Sequence, residues 1–438
     1  MTTLRHPRSI AVPDDLKPPA AHDVHDVHDA RIARFSILAA CGLLFLSALP
    51  DAMVVPVLRG LLVERYDVSV GAAHAFMSVN LIGALAGIGL AGFIRRRCTL
   101  VNSITIAALV NASLLAMMAV PIGFVPTLVL RCIEGAADLT VYAVLFAFIA
   151  QAGPSSKRGR RMGAAATAMM LGIACGAGLG GIIGGQTAVL CLWAGAVACV
   201  IVAAAAGLTL RPNRAQRTEL SSRHIAAEGG VDSRPIWRPL AMMFSDRFVA
   251  ALLATTVPLY LASVTDMSPA AIGGLVGLAM LMTALGTWPA GRLADRVGPL
   301  RLRLIAGCIY APGVALIPLA VSGNLAITII DFVLIGLAGA ALFASSLVAV
   351  SDSGRGAAGM GAYLAAGNAG FLVGPLAAGA TLSLLGGSEP GASVYLFVFG
   401  AFALIHGAVT VTTVFVAGYR STAQVQGQHP GAAPDLAS

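Results

Sequence analysis

The sequence predicts an all-α integral membrane protein with twelve transmembrane helices in two pseudo-symmetric six-helix halves. Three observations predict it: the composition, the number of long apolar segments, and a repeat relating the first six segments to the last six. Of 438 residues, 58% are hydrophobic and only 11% are charged, against about 25% charged in a typical soluble domain. So few charges cannot cover the surface of a soluble chain. A soluble enzyme, a disordered chain and a secreted disulfide scaffold are excluded on this ground. The apolar segments are continuous rather than alternating, which argues against a transmembrane barrel.

A helix needs about 20 apolar residues to cross the hydrocarbon core. Twelve such segments occur, at 35–58, 70–94, 99–124, 126–150, 163–184, 187–210, 241–264, 269–290, 300–321, 324–349, 360–384 and 393–417. They divide the chain into an N-terminal tail (1–34) read as cytoplasmic and disordered, an N-terminal half (35–210), a cytoplasmic central loop (211–240), a C-terminal half (241–417) and a cytoplasmic C-terminal tail (418–438). Lys and Arg gather in the cytoplasmic loops of membrane proteins. With the N-terminus inside, 25 of the 28 Lys and Arg fall on inside segments, two (Arg59 and Arg65) fall outside, and Arg131 lies within a span. Both termini are therefore expected in the cytoplasm, with the chain crossing the cell (inner) membrane. The anionic cytoplasmic leaflet then accounts for the net charge of +8, and no basic patch is left over for nucleic acid. The first span follows a largely polar 34-residue tail, unlike the short basic start of a signal peptide.

The seven cysteines are scattered without metal-ligand or disulfide spacing and are read as small hydrophobes. His22, His25 and His28 lie three apart among acids. That pattern can hold a divalent metal loosely, but the segment is read as a solvated tail. His74 and His406 fall inside spans and are read as satisfied buried histidines. No metal and no cofactor is expected.

The repeat has two landmarks. AGFIRRR (91–97) closes span 2 and AGRLADR (290–296) closes span 8, with Gly92 and Gly291 199 positions apart. GIACGAGLGG (172–181) in span 5 and GFLVGPLAAG (370–379) in span 11 place Gly176 and Gly374 198 apart. Glycine at every fourth residue clears a helix face for close backbone approach. Gly172, Gly176, Gly180 and Gly181 provide this in span 5, and Gly370 and Gly374 in span 11, where Pro375 is expected to add a kink. Both faces are expected to pack against the opposite half.

Four motifs carry a family resemblance: GRLADRVGPLR (291–301) between spans 8 and 9, with Gly291, Asp295, Arg296 and Gly298; RCIEGAAD (131–138) in span 4; GIACGAGLGG in span 5; and PDAMVVPVL (50–58) in span 1. On these motifs the chain resembles the major facilitator superfamily over essentially its full transmembrane length, and most resembles the twelve-helix drug/proton antiporter branch. The resemblance implies alternating access by rocking of two halves, with spans 5 and 11 meeting the opposite half at the gate. It also implies a cytoplasmic gate latch at Asp295 and Arg296, with Gly291 letting helices approach. The chain departs from the pattern at Arg96, where the first-half loop normally carries an acid, and at Ala177, where the antiporter motif carries proline.

Charges at membrane depth cost a few kcal/mol even on mild scales and mark functional sites. Five lie well inside spans: Asp51, Arg131, Glu134, Asp138 and Asp331. A rise of about 1.5 Å per residue puts Asp51 and Arg131 at a similar depth, roughly 8–11 Å from the outer edge, where they can pair. Arg131, Glu134 and Asp138 form one stripe of span 4. Two readings follow, a static ion network or a proton-coupling and substrate cavity lined with titratable acids. The function expected is secondary active transport, as proton-coupled export (antiport) of a small amphipathic compound. The alternative is a proton-coupled importer or facilitator of a small polar metabolite. An enzyme is not expected, since no HExxH, no nucleophile–base set and no nucleotide-binding loop is found. The expected partners are a small-molecule substrate, protons and the lipid bilayer, with the chain a monomer.

Overall fold

A computed structural model describes residues 21–152, 158–210, 236–353 and 356–427. Twelve helices among them are long and apolar enough to cross a membrane. We label them α1 (Ala21–Met53), α2 (Ala75–Arg97), α3 (Leu100–Ala119), α4 (Phe124–Gln151), α5 (Arg158–Ile183), α6 (Leu190–Thr209), α7 (Trp237–Ala254), α8 (Pro269–Val297), α9 (Pro299–Gly323), α10 (Leu325–Ser351), α11 (Gly356–Gly386) and α12 (Ala392–Gly427). An even number of crossings returns both ends of the described chain to one face, here called the terminal face; the opposite is the far face.

Local chemistry sets the boundaries. Thr99, Ser268 and Asn324 cap α3, α8 and α10 by accepting from the backbone N–H of Asn102, Ala271 and Ala326. Proline lacks an N–H, and its ring clashes with the carbonyl four residues earlier. Pro56 accordingly ends α1 at Met53, and the chain continues through a 3-10 turn at Val55–Val57 and a π-helical turn at Arg59–Val63. Pro258 acts in the same way on the seventh span: α7 stops at Ala254 and a second segment, Thr256–Ser263, resumes after Thr255. The first span of each half is thus interrupted toward the far face. Gly298 links α8 to α9 at φ +88°, a conformation that favours glycine, directly before Pro299.

Two expected tails differ in part from expectation. Residues 21–34 continue α1 and residues 418–427 continue α12. Adding a residue to an existing helix avoids the cost of nucleation, so a long apolar span can carry polar turns beyond its end. Helix α7 likewise begins inside the expected central loop, at Trp237. The tail and loop residues 1–20, 211–235 and 428–438, and the side chains of the His22–His28 run and of Arg96, lie outside the described residues.

The glycine faces pack differently from expectation. A Cβ on Gly172, Gly176 or Gly180 would strike Phe45, Leu49 or Met53 of α1, within the same half. Gly370 and Gly374 face Phe244 and Phe248 of α7, again within one half. Periodicity shows that a face is cleared, but not which neighbour occupies it. Of the expected span 5 glycines, Gly181 does meet the opposite half, on Pro269, and the halves also meet at Gly273 on Ala177, Gly277 on Ala174, and Gly71 against Gly379. All of these lie toward the far face. Helix α11 runs unbroken through Pro375.

At Gly176 a Cβ would sit 2.6 Å from the Leu49 carbonyl oxygen and 2.9 Å from the Ala52 Cβ. Gly176→Leu is therefore expected to force α5 off α1 and to destabilise the N-terminal half by about 1–3 kcal/mol, as overpacking does. Thermal unfolding of the purified protein checks this. An unchanged midpoint would contradict the assigned contact.

Candidate functional site

The N-terminal half buries a charged cluster. The Arg131 guanidinium on α4 donates from Nη1 to Glu134 Oε2 at 2.6 Å and from Nη2 to Asp51 Oδ1 of α1 at 2.8 Å. Asn80 on α2 donates to the same Glu134 oxygen at 2.8 Å. The guanidinium also lies over the Phe76 ring, 4.8 Å from its centroid, where the ring face attracts a cation. Asp138, one turn beyond Glu134, receives the Asn111 amide of α3 at 3.5 Å. Asp51 and Glu134 are its charged neighbours together with Arg131, and the Tyr142 hydroxyl one turn on donates to the Ser47 carbonyl at 3.1 Å. Three carboxyls thus share one guanidinium. Arg131 and Glu134 side chains are 1% exposed, whereas Asp51 is 26% exposed. Asp51 is therefore the member of the Arg131 pairs that reaches open space.

Asp331 does not join this cluster. It sits half-buried on α10 beside Gly313 of α9, with Oδ2 buried and without a hydrogen-bond partner. The buried ionic group of the C-terminal half is instead Asp246, Arg303 and His406, on α7, α9 and α12. Arg303 grips Asp246 with two hydrogen bonds of 3.0 and 2.9 Å, and His406 Nε2 lies 3.0 Å from Asp246 Oδ1. Sequence reasoning counted Arg303 with the basic residues of an inside turn; in the structure it is fully buried. A charge several residues inside span 7, at Asp246, was the available signal that a partner had to exist.

At the terminal end of α8 the signature-loop residues are open. Asp295 and Arg296 are exposed, and no hydrogen bond or ion pair holds either of them among the described residues. A Cβ on Gly291 would meet nothing within 4 Å, so here the glycine does not bring two helices together. By contrast, the far face is closed by polar contacts between the halves. Arg59 approaches Glu389 at 3.6 Å, Val70 N–H donates to the Ser388 carbonyl, and Ser78 donates to the Leu372 carbonyl.

The profile of the Major Facilitator Superfamily matches residues 40–251 and 240–435, which span both halves. The chain belongs to the major facilitator superfamily. An uncharacterized MFS-type transporter of Yersinia pestis (strain Pestoides F) is 29% identical over 217 residues, 49% of this chain and 53% of the relative. The chain thus spans about half the length of the curated relatives it matches. Among solved structures, the nucleoside transporter NupG superposes with a TM-score of 0.69 at 14% identity, covering 86% of this chain and 98% of that chain. A D-xylose-proton symporter gives 0.67 at 16% identity, covering 86% and 97%. At these identities the two structures establish the fold. Family and fold together make the chain a multi-pass helical membrane protein of this superfamily.

Proposed function

We propose that this superfamily member is a proton-coupled secondary transporter that exports a small amphipathic compound in exchange for protons, with both termini cytoplasmic. The observation that carries the reading is the imbalance of the N-terminal cluster, in which Asp51, Glu134 and Asp138 face one guanidinium. Burying unpaired carboxylates costs several kcal/mol per ion, so protonation offsets a charge deficit of this kind. Asp51 reaches open space and is the group through which protons enter and leave. A carboxyl whose distance to a guanidinium or access to water changes can exchange a proton as the halves rock.

The sequence's charges support the orientation: 25 basic residues, the buried Arg303 among them, fall on segments expected inside and two on segments expected outside. In that orientation the far face is extracellular and closed, and Asp295 and Arg296 stand free at the cytoplasmic end. They would engage when that end closes. The same cluster would serve symport of a polar metabolite, and the response to the proton gradient separates the two directions. Cells producing the protein, loaded with the amphipathic dye ethidium, should retain less dye than cells lacking it. A protonophore should abolish the difference. Greater retention that the protonophore removes would favour import.

A further inference from the structure

We infer that α2 is the element that couples the charged cluster to the closed far face, through His74 and its hydrogen bond to Thr256 of the opposite half. The inference rests on the reading of the cluster as the site of proton exchange. His74 lies between the short helix Val70–Ala73 and α2, at a break in the second span. Thr256 lies directly after the break in the seventh span. The two interruptions face each other across the seam, and His74 Nε2 and Thr256 Oγ1 are 3.0 Å apart with both residues buried. His74 Nδ1 lies 2.9 Å from the Val70 carbonyl oxygen. A carbonyl can only accept, so in the neutral ring Nδ1 carries the proton and Nε2 accepts from the threonine hydroxyl. Thr255, next door, turns its hydroxyl to the Ala251 carbonyl of its own helix. Thr256 reaches across instead.

One turn on, Ser78 donates to the Leu372 carbonyl of α11 at 3.3 Å. The same short stretch carries the cluster's supports on its other side. Phe76 lies under Arg131, Met77 Sδ is 3.9 Å from Arg131 Nη2, and Asn80 holds Glu134. The stretch 74–80 therefore touches the seam through His74 and Ser78 and the ion pairs through Phe76, Met77 and Asn80. Helix α2 is also packed backbone to backbone on α4, since a Cβ on Gly135 would strike Asn80 and one on Gly83 would strike Cys132. A rearrangement at Arg131 or Glu134 that moves α2 by about an ångström takes the His74–Thr256 pair beyond hydrogen-bonding range.

The test uses the full-length protein in a cysteine-free background, with spin labels on Gln186→Cys and Ala392→Cys, two exposed far-face positions on opposite halves. The inter-label distance distribution is read without substrate. The otherwise unmodified protein should show mainly the short, closed distance. His74→Ala and Thr256→Val should each raise the open-to-closed ratio about fivefold, the effect of one buried neutral hydrogen bond. The pair together should do no more than either alone, because both remove the same bond. His74→Gln, which retains an acceptor, should recover the closed distance. Asn80→Ala should open the far face when His74 is present and add nothing in the His74→Ala background. Unchanged distances in both His74→Ala and Thr256→Val would overturn the inference, as would a full additional effect of Asn80→Ala without His74. Loss of proton dependence in transport, with this distance cycle intact, would count against the proposed function and not against the gate contact.

Discussion

Replacing Arg131 by leucine is expected to produce the largest single loss in the molecule. Among the described residues the guanidinium is the sole cation paired with Asp51 and Glu134, and its removal leaves two ion-paired carboxyls and the nearby Asp138 uncompensated. Breaking a buried pair by deleting one partner costs about 3–5 kcal/mol, because the remaining charge stays buried. Transport should vanish and the unfolding midpoint should drop. Removing the acids together with the base should recover much of the stability but not the activity. Arg131→Leu combined with Asp51→Asn and Glu134→Gln should therefore unfold later than Arg131→Leu alone. If the triple variant is no more stable than the single one, the cluster is not held by charge balance.

Arg303→Leu is the second large effect, and it should be of another kind. Asp246 receives two hydrogen bonds from Arg303 and lies within bonding distance of His406, so this triad joins three helices with its carboxylate and guanidinium matched one to one. Loss of Arg303 should cost a similar 3–5 kcal/mol. The balanced group has no surplus acid for proton exchange, so its role is to fix α7 against α9 and α12. Asp246→Leu with Arg303→Leu should return most of the lost stability, and the recovered protein should still respond to a proton gradient. Thermal unfolding followed by flux on the double variant checks both halves of that expectation. A double variant that is stable but uncoupled would move the coupling site into the C-terminal half.

How far the sequence could be read depends on what each feature requires. The spans, the two halves and the shared depth of Asp51 and Arg131 follow from a fixed rise per residue along a straight element. The Asp246–Arg303–His406 group depends on how three separate helices are rotated about their axes, which a linear pattern does not specify. Starting span 9 at residue 300 placed Arg303 at the membrane edge, where a basic residue needs no partner; the helix buries it one turn in. Glycine spacing marked the cleared faces of α5 and α11 but not that α1 and α7 fill them. Asp138 shares a stripe of span 4 with Arg131 and Glu134, whereas Asp331 is a lone acid in its span, and only packing shows that it lies beside Gly313, away from the cluster. The break at Thr255 is missed by reading 241–264 as one continuous span; Pro258, three residues beyond it, was the available signal.

The central claim is that Asp51 passes protons for transport. Ethidium flux into proteoliposomes with an imposed pH gradient tests it most directly, with unmodified protein and Asp51→Asn compared at equal incorporation. Asparagine keeps the shape of the side chain and an oxygen for Arg131 but cannot exchange a proton. The unmodified protein should accumulate the dye when the gradient is imposed. Asp51→Asn should still bind the dye and let it equilibrate, without accumulation. Accumulation by Asp51→Asn to the level of the unmodified protein would contradict the account and leave Asp51 a structural partner of Arg131.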